Sequence, residues 1–265
     1  MKSETARLMT LVREKRPLVH HITNYVTMND CANITLCAGG TPVMGFSADD
    51  VKELAKLASS LVLNIGTPTD DIVDAMIAAG KAANDKGIPV ILDPVGVGAT
   101  AYRMNAVRKI LSSVKISVIK GNPGEIGALA GIGRTMKGVD SEGIDGDPLT
   151  ACASLSKELR TVVAMTGPVD IVTDGNRTMT INNGHAMMAS VSGTGCMAAS
   201  VIGCFASCTD DMLKASAAAL AVFSIAGNKA AKRSKGPGTF MVNLKDEMAA
   251  LTPNEVIPLA NIRVV

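Results

Sequence analysis

The sequence contains no tryptophan, and aromatic residues make up only 2% of its 265 residues. A core must therefore be packed from aliphatic residues and the 15 methionines, which adapt to irregular gaps. No apolar stretch reaches the roughly 18 residues that a membrane-spanning helix needs. The N-terminal segment, MKSETARLMTLVREKRP, lacks the apolar centre of a signal peptide. We therefore expect no membrane partner.

An excess of one charge is missing too. The 26 basic and 24 acidic residues give a formal net charge of +2, which provides no field to attract nucleic acid. The densest basic run, 229–235, has no interleaved aromatics, so we interpret it as the solvated end of a helix. The six cysteines include no CxxC pair and are too sparse for a secreted disulfide scaffold, which predicts reduced thiols and a cytoplasmic location.

Apolar segments of strand length recur along the chain, and most are followed by a helical pattern. This alternation predicts an α/β fold with a mainly parallel central sheet and helices on both faces. No change of composition marks a linker, so residues 1–265 are expected to form a single domain. The predicted strands cover residues 18–22, 41–44, 61–65, 88–92, 115–120 and 161–165.

Cap and turn signals separate these segments. Ser47 with Asp50 is a possible capping box, and Thr69 precedes two aspartates at the start of a helical pattern. Residues 169–182 alternate between apolar and polar on either side of Asp174-Gly175, which predicts a hairpin near the sheet edge. After the hairpin the pattern is helical to about residue 250. We therefore expect a helical block to close the chain.

Informative polar segments follow four of the predicted strands, where open α/β sheets bind ligands. They are NIGT (64–67), DPVGVG (93–98), KGNPGE (120–125) and TGP (166–168). Each alone is typical of a strand end or a helix cap. Together they place Asp93 and Glu125 on one edge of the sheet, where they suit an Mg²⁺ ion that takes its other ligands from water and phosphate. Alternatively, Glu125 stabilises a helix dipole from the first turn.

The segment SGTGC (192–196) is a two-glycine turn that opens a helical run. Gly193 and Gly195 allow the backbone to approach a ligand closely, and the first amides of the helix would hold a phosphate or a developing phosphoryl charge. No GxxxxGK[ST] motif occurs, which excludes a P-loop nucleotide site. Alternatively, Cys196 is only a small apolar residue at the start of a tightly packed helix.

These segments resemble the hydroxyethylthiazole kinases of thiamine salvage, in order and over nearly the whole chain. DPVGVGAT and GTGC are the most specific among them. The matching segments are HHITNYVTMNDCAN (20–33), GGTPVM (39–44), LVLNIGT (61–67), ILDPVGVGAT (91–100), VIKGNPGEI (118–126), TGPVDIVTDG (166–175), VSGTGCM (191–197) and GPGTF (236–240).

The resemblance implies a ribokinase-like fold, a homotrimer with active sites between subunits, and phosphorylation of 4-methyl-5-(2-hydroxyethyl)thiazole by ATP and Mg²⁺. The ATP contacts that it implies are Lys120, Thr166 and Asn122. The thiazole contacts that it implies are Met44, Asn24, Gly66 and the Gly193 backbone. From its residue type alone, Met44 would be interpreted as a core methionine.

The same resemblance assigns Mg²⁺ and its waters to Asp93 and Glu125, and catalysis to Cys196 with Gly193 and Gly195. Cys196 takes the position of the catalytic aspartate in most ribokinase-like enzymes. A thiol with an ordinary pKa near 8.5 is mostly protonated at neutral pH, although a helix N-terminus can lower that pKa. Phosphoryl transfer depends mainly on alignment and charge neutralisation, so we expect Cys196 to contribute modestly.

Two departures from the family pattern concern the pocket. Lys120 stands where the family has arginine, which replaces a forked phosphate contact with a point charge. Gly45-Phe46 follows Met44 in place of smaller residues. Two other functions stay open: a ribokinase-like kinase of hydroxymethylpyrimidine or pyridoxal, and a non-catalytic small-molecule sensor. His20 and His21 are either neighbours of the active site or hydrogen-bonded structural residues.

Overall fold

The computed structural model describes residues 1–132 and 146–265. Its core is a nine-stranded sheet in the order β2-β1-β3-β4-β5-β6-β7-β8-β9. The first six strands are parallel, and the last three are antiparallel. The strands are β1 Leu18–Ile22, β2 Thr41–Met44, β3 Ser60–Asn64, β4 Val90–Asp93, β5 Val118–Gly121, β6 Val162–Met165, β7 Asp170–Thr173, β8 Thr178–Ile181 and β9 Ile262–Val264.

Eleven helices lie in the described part of the chain, together with a 3-10 turn at Ala186–Ser190. The helices are α1 Lys2–Lys15, α2 Met28–Ala38, α3 Asp50–Leu57, α4 Asp70–Lys86, α5 Ala101–Ser113, α6 Pro123–Leu129, α7 Pro148–Leu159, α8 Thr194–Ala206, α9 Met212–Arg233, α10 Pro237–Ala250 and α11 Pro253–Leu259. None of these helices is both long and apolar enough to cross a bilayer.

The helices cover both faces of the sheet, as the alternating pattern predicts. Side chains of α1, α2 and α8–α11 pack on one face with Val62 and Ile91. Side chains of α3–α7 pack on the other with Leu63 and Leu92. Successive strand residues point to opposite faces, so a strand covered on both sides is apolar along its whole length. β3–β6 are fully buried in this way, whereas β2, at the edge of the sheet, is half-buried.

All six predicted strands are present, with ends shifted by at most three residues. The hairpin is also confirmed, since β7 and β8 pair on either side of a turn in which Gly175 has a φ of +87°. Thr69 caps α4 by accepting a hydrogen bond from the Ile72 N–H. The capping box at Ser47 is wrong, because α3 begins at Asp50 without a side-chain cap and Ser47 uses its backbone carbonyl.

The basic run and the cysteines are also described. Lys229 and Arg233, in the last turns of α9, form ion pairs with Glu247, and Lys229 also pairs with Glu255. The run is therefore a helix end, as predicted. All six cysteines are free thiols, and Cys204 and Cys208 are buried in the core.

Candidate active site

The carboxyl ends of the six parallel strands bring the predicted site residues to one edge of the sheet. Strand order sorts them by role. Of the residues assigned to the thiazole, Met44 ends β2, Asn24 follows β1 and Gly66 follows β3. Asp93 ends β4. Lys120 lies in β5, Asn122 and Glu125 follow that strand, and Thr166 follows β6. The residues assigned to the alcohol thus lie on one side of Asp93, and those assigned to ATP lie on the other.

Asp93 and Lys120 form a buried ion pair at the centre of this edge. The Lys120 Nζ lies 3.3 Å from Asp93 Oδ1, and both side chains are almost fully buried. Asn64 lies opposite Asp93 in the β3–β4 register, and its Nδ2 donates to Asp93 Oδ2 at 2.8 Å. Asp93 is therefore held by one charged donor and one neutral donor.

Burial and charge oppose each other in this pair. Burial raises the pKa of Asp93 to about 7, although the Lys120 charge opposes the rise. Burial lowers the pKa of Lys120, but the nearby Asp93 and Glu125 charges outweigh it and leave that pKa above its ordinary value. Lys120 is consequently a cation at neutral pH, and its ammonium is held in place beside Asp93.

Glu125 makes two backbone hydrogen bonds. Its Oε2 accepts from the Asn122 N–H at 2.7 Å, which completes a capping box with the Asn122 side chain at the start of α6. Its Oε1 accepts from the Gly96 N–H at 2.9 Å. Glu125 therefore lies in the first turn of α6, as the structural alternative expects, and its carboxylate also connects the loop after β4 to the loop after β5.

Asn24 links the substrate side of the edge to the centre. Its Nδ2 donates to Asn64 Oδ1 at 2.8 Å and to Cys196 Sγ at 3.4 Å, while its Oδ1 accepts from the Thr27 N–H and hydroxyl. A side chain at Gly66 would collide with Asn24, since its Cβ would lie 2.8 Å from the Asn24 side chain. The close approach of these two residues therefore requires glycine at position 66.

The SGTGC turn lies directly against these residues. Gly193 has a φ of +94°, and its Cβ would lie 2.7 Å from Thr27 Cγ2. A Cβ on Gly195 would lie 3.0 Å from Lys120 Nζ. The first intrahelical bond of α8 runs from the Met197 N–H to the Gly193 carbonyl, so the amides before Met197 are available to a ligand. A helix N-terminus and a buried ammonium therefore meet at one point, which suits an anion.

Cys196 lies in the first turn of α8 and is half-buried. Burial, with the Asp93 charge, raises the pKa of its thiol, and the opposing effect of Lys120 is smaller. Because a raised pKa keeps the thiol protonated at neutral pH, it supports the expectation that Cys196 is a poor proton acceptor.

The remaining candidates lie where the strand order places them. Thr166 is half-buried after β6, and its N–H donates to the Gly121 carbonyl. The Asn122 Oδ1 accepts from the Glu125 N–H. Met44 is half-buried at the end of β2, on the edge strand. Since neighbouring strands are about 4.8 Å apart, Met44 lies roughly 14 Å from the β4 position.

The two histidines differ. His21 is structural, because its Nδ1 contacts the Val19 carbonyl at 3.0 Å and its Nε2 contacts the Thr35 hydroxyl at 3.5 Å. His20 is buried beside Gly45 and Asp50, and neither of its ring nitrogens has a hydrogen-bond partner in the described part of the chain. Burial lowers both pKa values to about 4, so both rings are neutral.

Three further residues at this edge were not assigned a role from the sequence. Asn64 orients Asp93; Asp170 accepts a hydrogen bond from the Gly167 N–H at 3.0 Å; and Arg103 contacts two of the loops. Asn64 opens the polar segment NIGT (64–67), so its position was a usable signal. Arg103 had no such signal, because it lies within a helical pattern.

The sequence matches a known protein family over most of its length. The model of the hydroxyethylthiazole kinase family matches residues 9–254. The chain belongs to the hydroxyethylthiazole kinase family. A relative from Methanosphaerula palustris, named hydroxyethylthiazole kinase, is 52% identical over the full length of both chains. Membership in a kinase family implies ATP as the phosphoryl donor.

Solved structures agree with the fold. The structure of a hydroxyethylthiazole kinase protein from Pyrococcus horikoshii OT3 has a TM-score of 0.91, 41% identity and 98% coverage of both chains. A ribokinase-like superfamily protein from Enterococcus faecalis V583 has a TM-score of 0.64 with 13% identity, covering 92% of this chain and 95% of that one, so it supports the fold alone. The predicted ribokinase-like architecture is confirmed.

Proposed function

We propose that this protein transfers the terminal phosphoryl group of ATP to the hydroxyl of 4-methyl-5-(2-hydroxyethyl)thiazole, giving the thiazole phosphate for thiamine diphosphate synthesis by salvage. One observation carries the proposal. In a chain of this family, the Lys120 ammonium lies against both Asp93 and Gly195, which joins a buried cation to the N-terminus of α8. That combination suits a phosphoryl group in transfer, whose charge is spread over three oxygens.

The proposed roles follow the strand order. Asn24, Gly66, Met44 and the Gly193 backbone bind the thiazole, and Lys120, Thr166 and Asn122 contact ATP. The amides of the Gly193–Cys196 turn and the Lys120 ammonium stabilise the transferred group, because they are oriented before the substrate binds. Lys120 is buried against the helix turn, which supports contact with the phosphates and not with the base.

Asp93 and Glu125 are the proposed Mg²⁺ residues, and their contacts fit a hydrated ion. No group of three or more His, Cys, Asp or Glu side chains within residues 1–132 and 146–265 could hold a metal. Each carboxylate oxygen already accepts a protein hydrogen bond but has a second lone pair for water. Mg²⁺ keeps several waters and suits few protein ligands. Bound there with ATP, it would neutralise phosphate charge.

Cys196 is proposed to lie beside the substrate hydroxyl and to contribute little as a base. Its raised pKa keeps the thiol protonated at neutral pH. In a loose transition state the alcohol proton leaves late, so alignment by the Asn24 amide and neutralisation by Lys120 carry more of the rate.

A homotrimer in the cytoplasm is the proposed biological form. An exposed apolar group beside the site supports an assembly: Tyr25 and Val26 are 63% and 70% exposed, and Tyr25 stacks on Phe46 with ring centroids 5.9 Å apart. Free thiols suit a reducing compartment. Analytical ultracentrifugation should give the mass of three chains, and a monomer at assay concentration would contradict the trimer.

The reaction is tested with a panel of alcohols, using ATP, Mg²⁺ and coupled detection of ADP. The panel contains the hydroxyethylthiazole, its ethyl analogue without the hydroxyl, hydroxymethylpyrimidine and pyridoxal. We expect ADP release only with the hydroxyethylthiazole, and mass spectrometry should identify its phosphate ester. Stronger release with either other alcohol would favour a different vitamin kinase. Saturable thiazole binding without ADP release would favour a sensor.

A further inference from the structure

Arg103 contacts the backbone of two loops at the edge of the site. It lies in the first turn of α5, which is capped by Thr100. Its Nη1 donates to the Ile65 and Val95 carbonyls, both at 2.7 Å, and its Nη2 donates to the Gly66 carbonyl at 2.8 Å. One guanidinium therefore joins the loop after β3 to the loop after β4.

Two of these carbonyls belong to peptides whose N–H groups also have side-chain partners. In a trans peptide the C=O and N–H groups point in opposite directions. The Ile65–Gly66 peptide has its carbonyl on Arg103 and its N–H on Asn64 Oδ1, at 2.9 Å. The Val95–Gly96 peptide has its carbonyl on Arg103 and its N–H on Glu125 Oε1, also at 2.9 Å. Each peptide plane is thus held from both sides.

Both peptides lead to the carboxylates proposed for Mg²⁺. Through the first, Arg103 orients Asn64, whose amide donates to Asp93 at 2.8 Å. Through the second, it orients the N–H that binds Glu125 directly. In each peptide the Arg103 guanidinium lies at the carbonyl end of the peptide dipole, and a side-chain oxygen lies at the N–H end. Both contacts therefore favour the same orientation of the peptide plane.

The guanidinium is committed to these carbonyls. In the described ranges, 1–132 and 146–265, no carboxylate forms an ion pair with Arg103. Arginine offers several donors in a rigid plane, which allows Nη1 and Nη2 to serve three carbonyls at once. A lysine would keep the charge but has a single side-chain nitrogen, so it could not reproduce the contacts of both Nη1 and Nη2.

We propose that Arg103 is a positioning residue that sets the relative placement of Asp93 and Glu125 through the Ile65–Gly66 and Val95–Gly96 peptides. This role rests on the proposed function, in which the two carboxylates organise the hydrated ion and the phosphates. Arg103 is not among the residues proposed to contact ATP or the alcohol, and its guanidinium binds backbone carbonyls. It acts through two peptide planes, and its loss should weaken metal–nucleotide binding more than thiazole binding.

The test uses Arg103→Lys and Arg103→Met, with Arg108→Lys and Arg108→Met as matched controls. Arg108 lies in the same helix and is exposed. Mn²⁺ binding in the presence of a non-hydrolysable ATP analogue is measured by electron paramagnetic resonance, which needs no turnover. Thiazole binding to the same samples is measured by calorimetry, and circular dichroism verifies folding.

Removing an outer contact of a metal ligand typically costs about 10- to 100-fold in metal affinity or activity. We expect Arg103→Lys to raise the Mn²⁺ dissociation constant about tenfold, and Arg103→Met closer to 100-fold, with thiazole affinity changed less than about twofold. The Arg108 variants should match the wild type. Hydrogen exchange at Gly66 and Gly96 should also accelerate in the Arg103 variants.

Unchanged Mn²⁺ affinity in folded Arg103→Lys and Arg103→Met would overturn the proposal, as would an equal loss of thiazole affinity. If Arg103→Met does not fold, Arg103→Lys decides. If the wild type binds Mn²⁺ and nucleotide but phosphorylates no alcohol of the panel, the proposed function fails while the Arg103 result still stands, so the two outcomes are distinguishable.

Discussion

Replacing Cys196 by alanine tests how phosphoryl transfer proceeds in this site. The substitution removes Sγ, which accepts a hydrogen bond from Asn24 Nδ2 at 3.4 Å, and leaves the backbone amides of the turn in place. Alanine also suits the first turn of a helix. The fold should therefore persist, and any loss of turnover reports the role of the thiol.

The expected magnitude follows from ionisation. Burial, with the Asp93 charge, raises the pKa of Cys196, so the thiol is mostly protonated at pH 7. A positioned base is typically worth about 10² to 10⁴ in rate, but a mostly protonated thiol can supply only a small part of that benefit. We expect Cys196→Ala to retain turnover within about tenfold of the wild type. Cys196→Asp, which supplies an ionisable carboxyl, should retain or raise it.

The assay is kcat from pH 6 to 9, with thermal melting to verify folding. If the thiolate were the base, log kcat of the wild type would rise with a slope near one up to the thiol pKa, and alanine would abolish that rise. A loss of more than about 10³ in folded Cys196→Ala, or that slope, would refute the reasoning. A phosphocysteine trapped by mass spectrometry would refute it as well.

Three other variants test the contacts around the site. Lys120→Met leaves Asp93 buried without its cation and should destabilise the fold by about 3–5 kcal/mol, measured by chemical denaturation. Adding Asp93→Asn should recover part of that loss. An unchanged denaturation midpoint in Lys120→Met would contradict the ion pair. Gly193→Ala places a Cβ at a φ of +94°, 2.7 Å from Thr27 Cγ2. It should lower the free energy of unfolding by about 1–3 kcal/mol and reduce turnover. Adding Thr27→Ser removes Cγ2 and should recover part of the stability, and no recovery would exclude the clash. Burial raises the pKa of Asp170 from 3.8 to about 7, so the contribution of its protonated form to stability is full below pH 3.8 and is lost as the pH rises through 7. The free energy of unfolding of Asp170→Asn should match that of the wild type at pH 4 and exceed it by up to about 4 kcal/mol at pH 8. A gain that does not depend on pH would contradict burial as the cause.

The local sequence pattern was sufficient to predict the parallel strands and the residue types at the edge of the sheet that forms the site. Continuous apolar runs followed by Gly, Asn and Asp predict buried parallel strands and the loops after them, because a strand between two helical layers must be apolar on both faces. Asp93 and Glu125 were therefore placed on one edge of the sheet. The pattern could not reveal β9, since Ile262–Val264 is too short to show alternation and pairs with β8, far away in the chain.

Cap signals were less reliable than strand signals. Thr69 caps its helix, but Ser47 does not, although both precede acidic residues at the start of a helical pattern. A cap depends on the dihedral angles of a single residue, and the path of the loop determines those angles. Strand formation depends on a whole run of residues and tolerates more local variation.

By itself, the sequence predicted the six parallel strands, the hairpin, the polar segments that follow four of those strands, and the family. These properties depend on local periodicity and on short motifs, which survive without knowledge of contacts. Only the tertiary structure decided that the Cys196 pKa rises, that Lys120 is a buried counter-ion of Asp93, and that Arg103 holds two peptides of the site. Burial and pairing arise between residues that are distant in the chain, and the pKa of a buried group depends on those neighbours and not on its own segment.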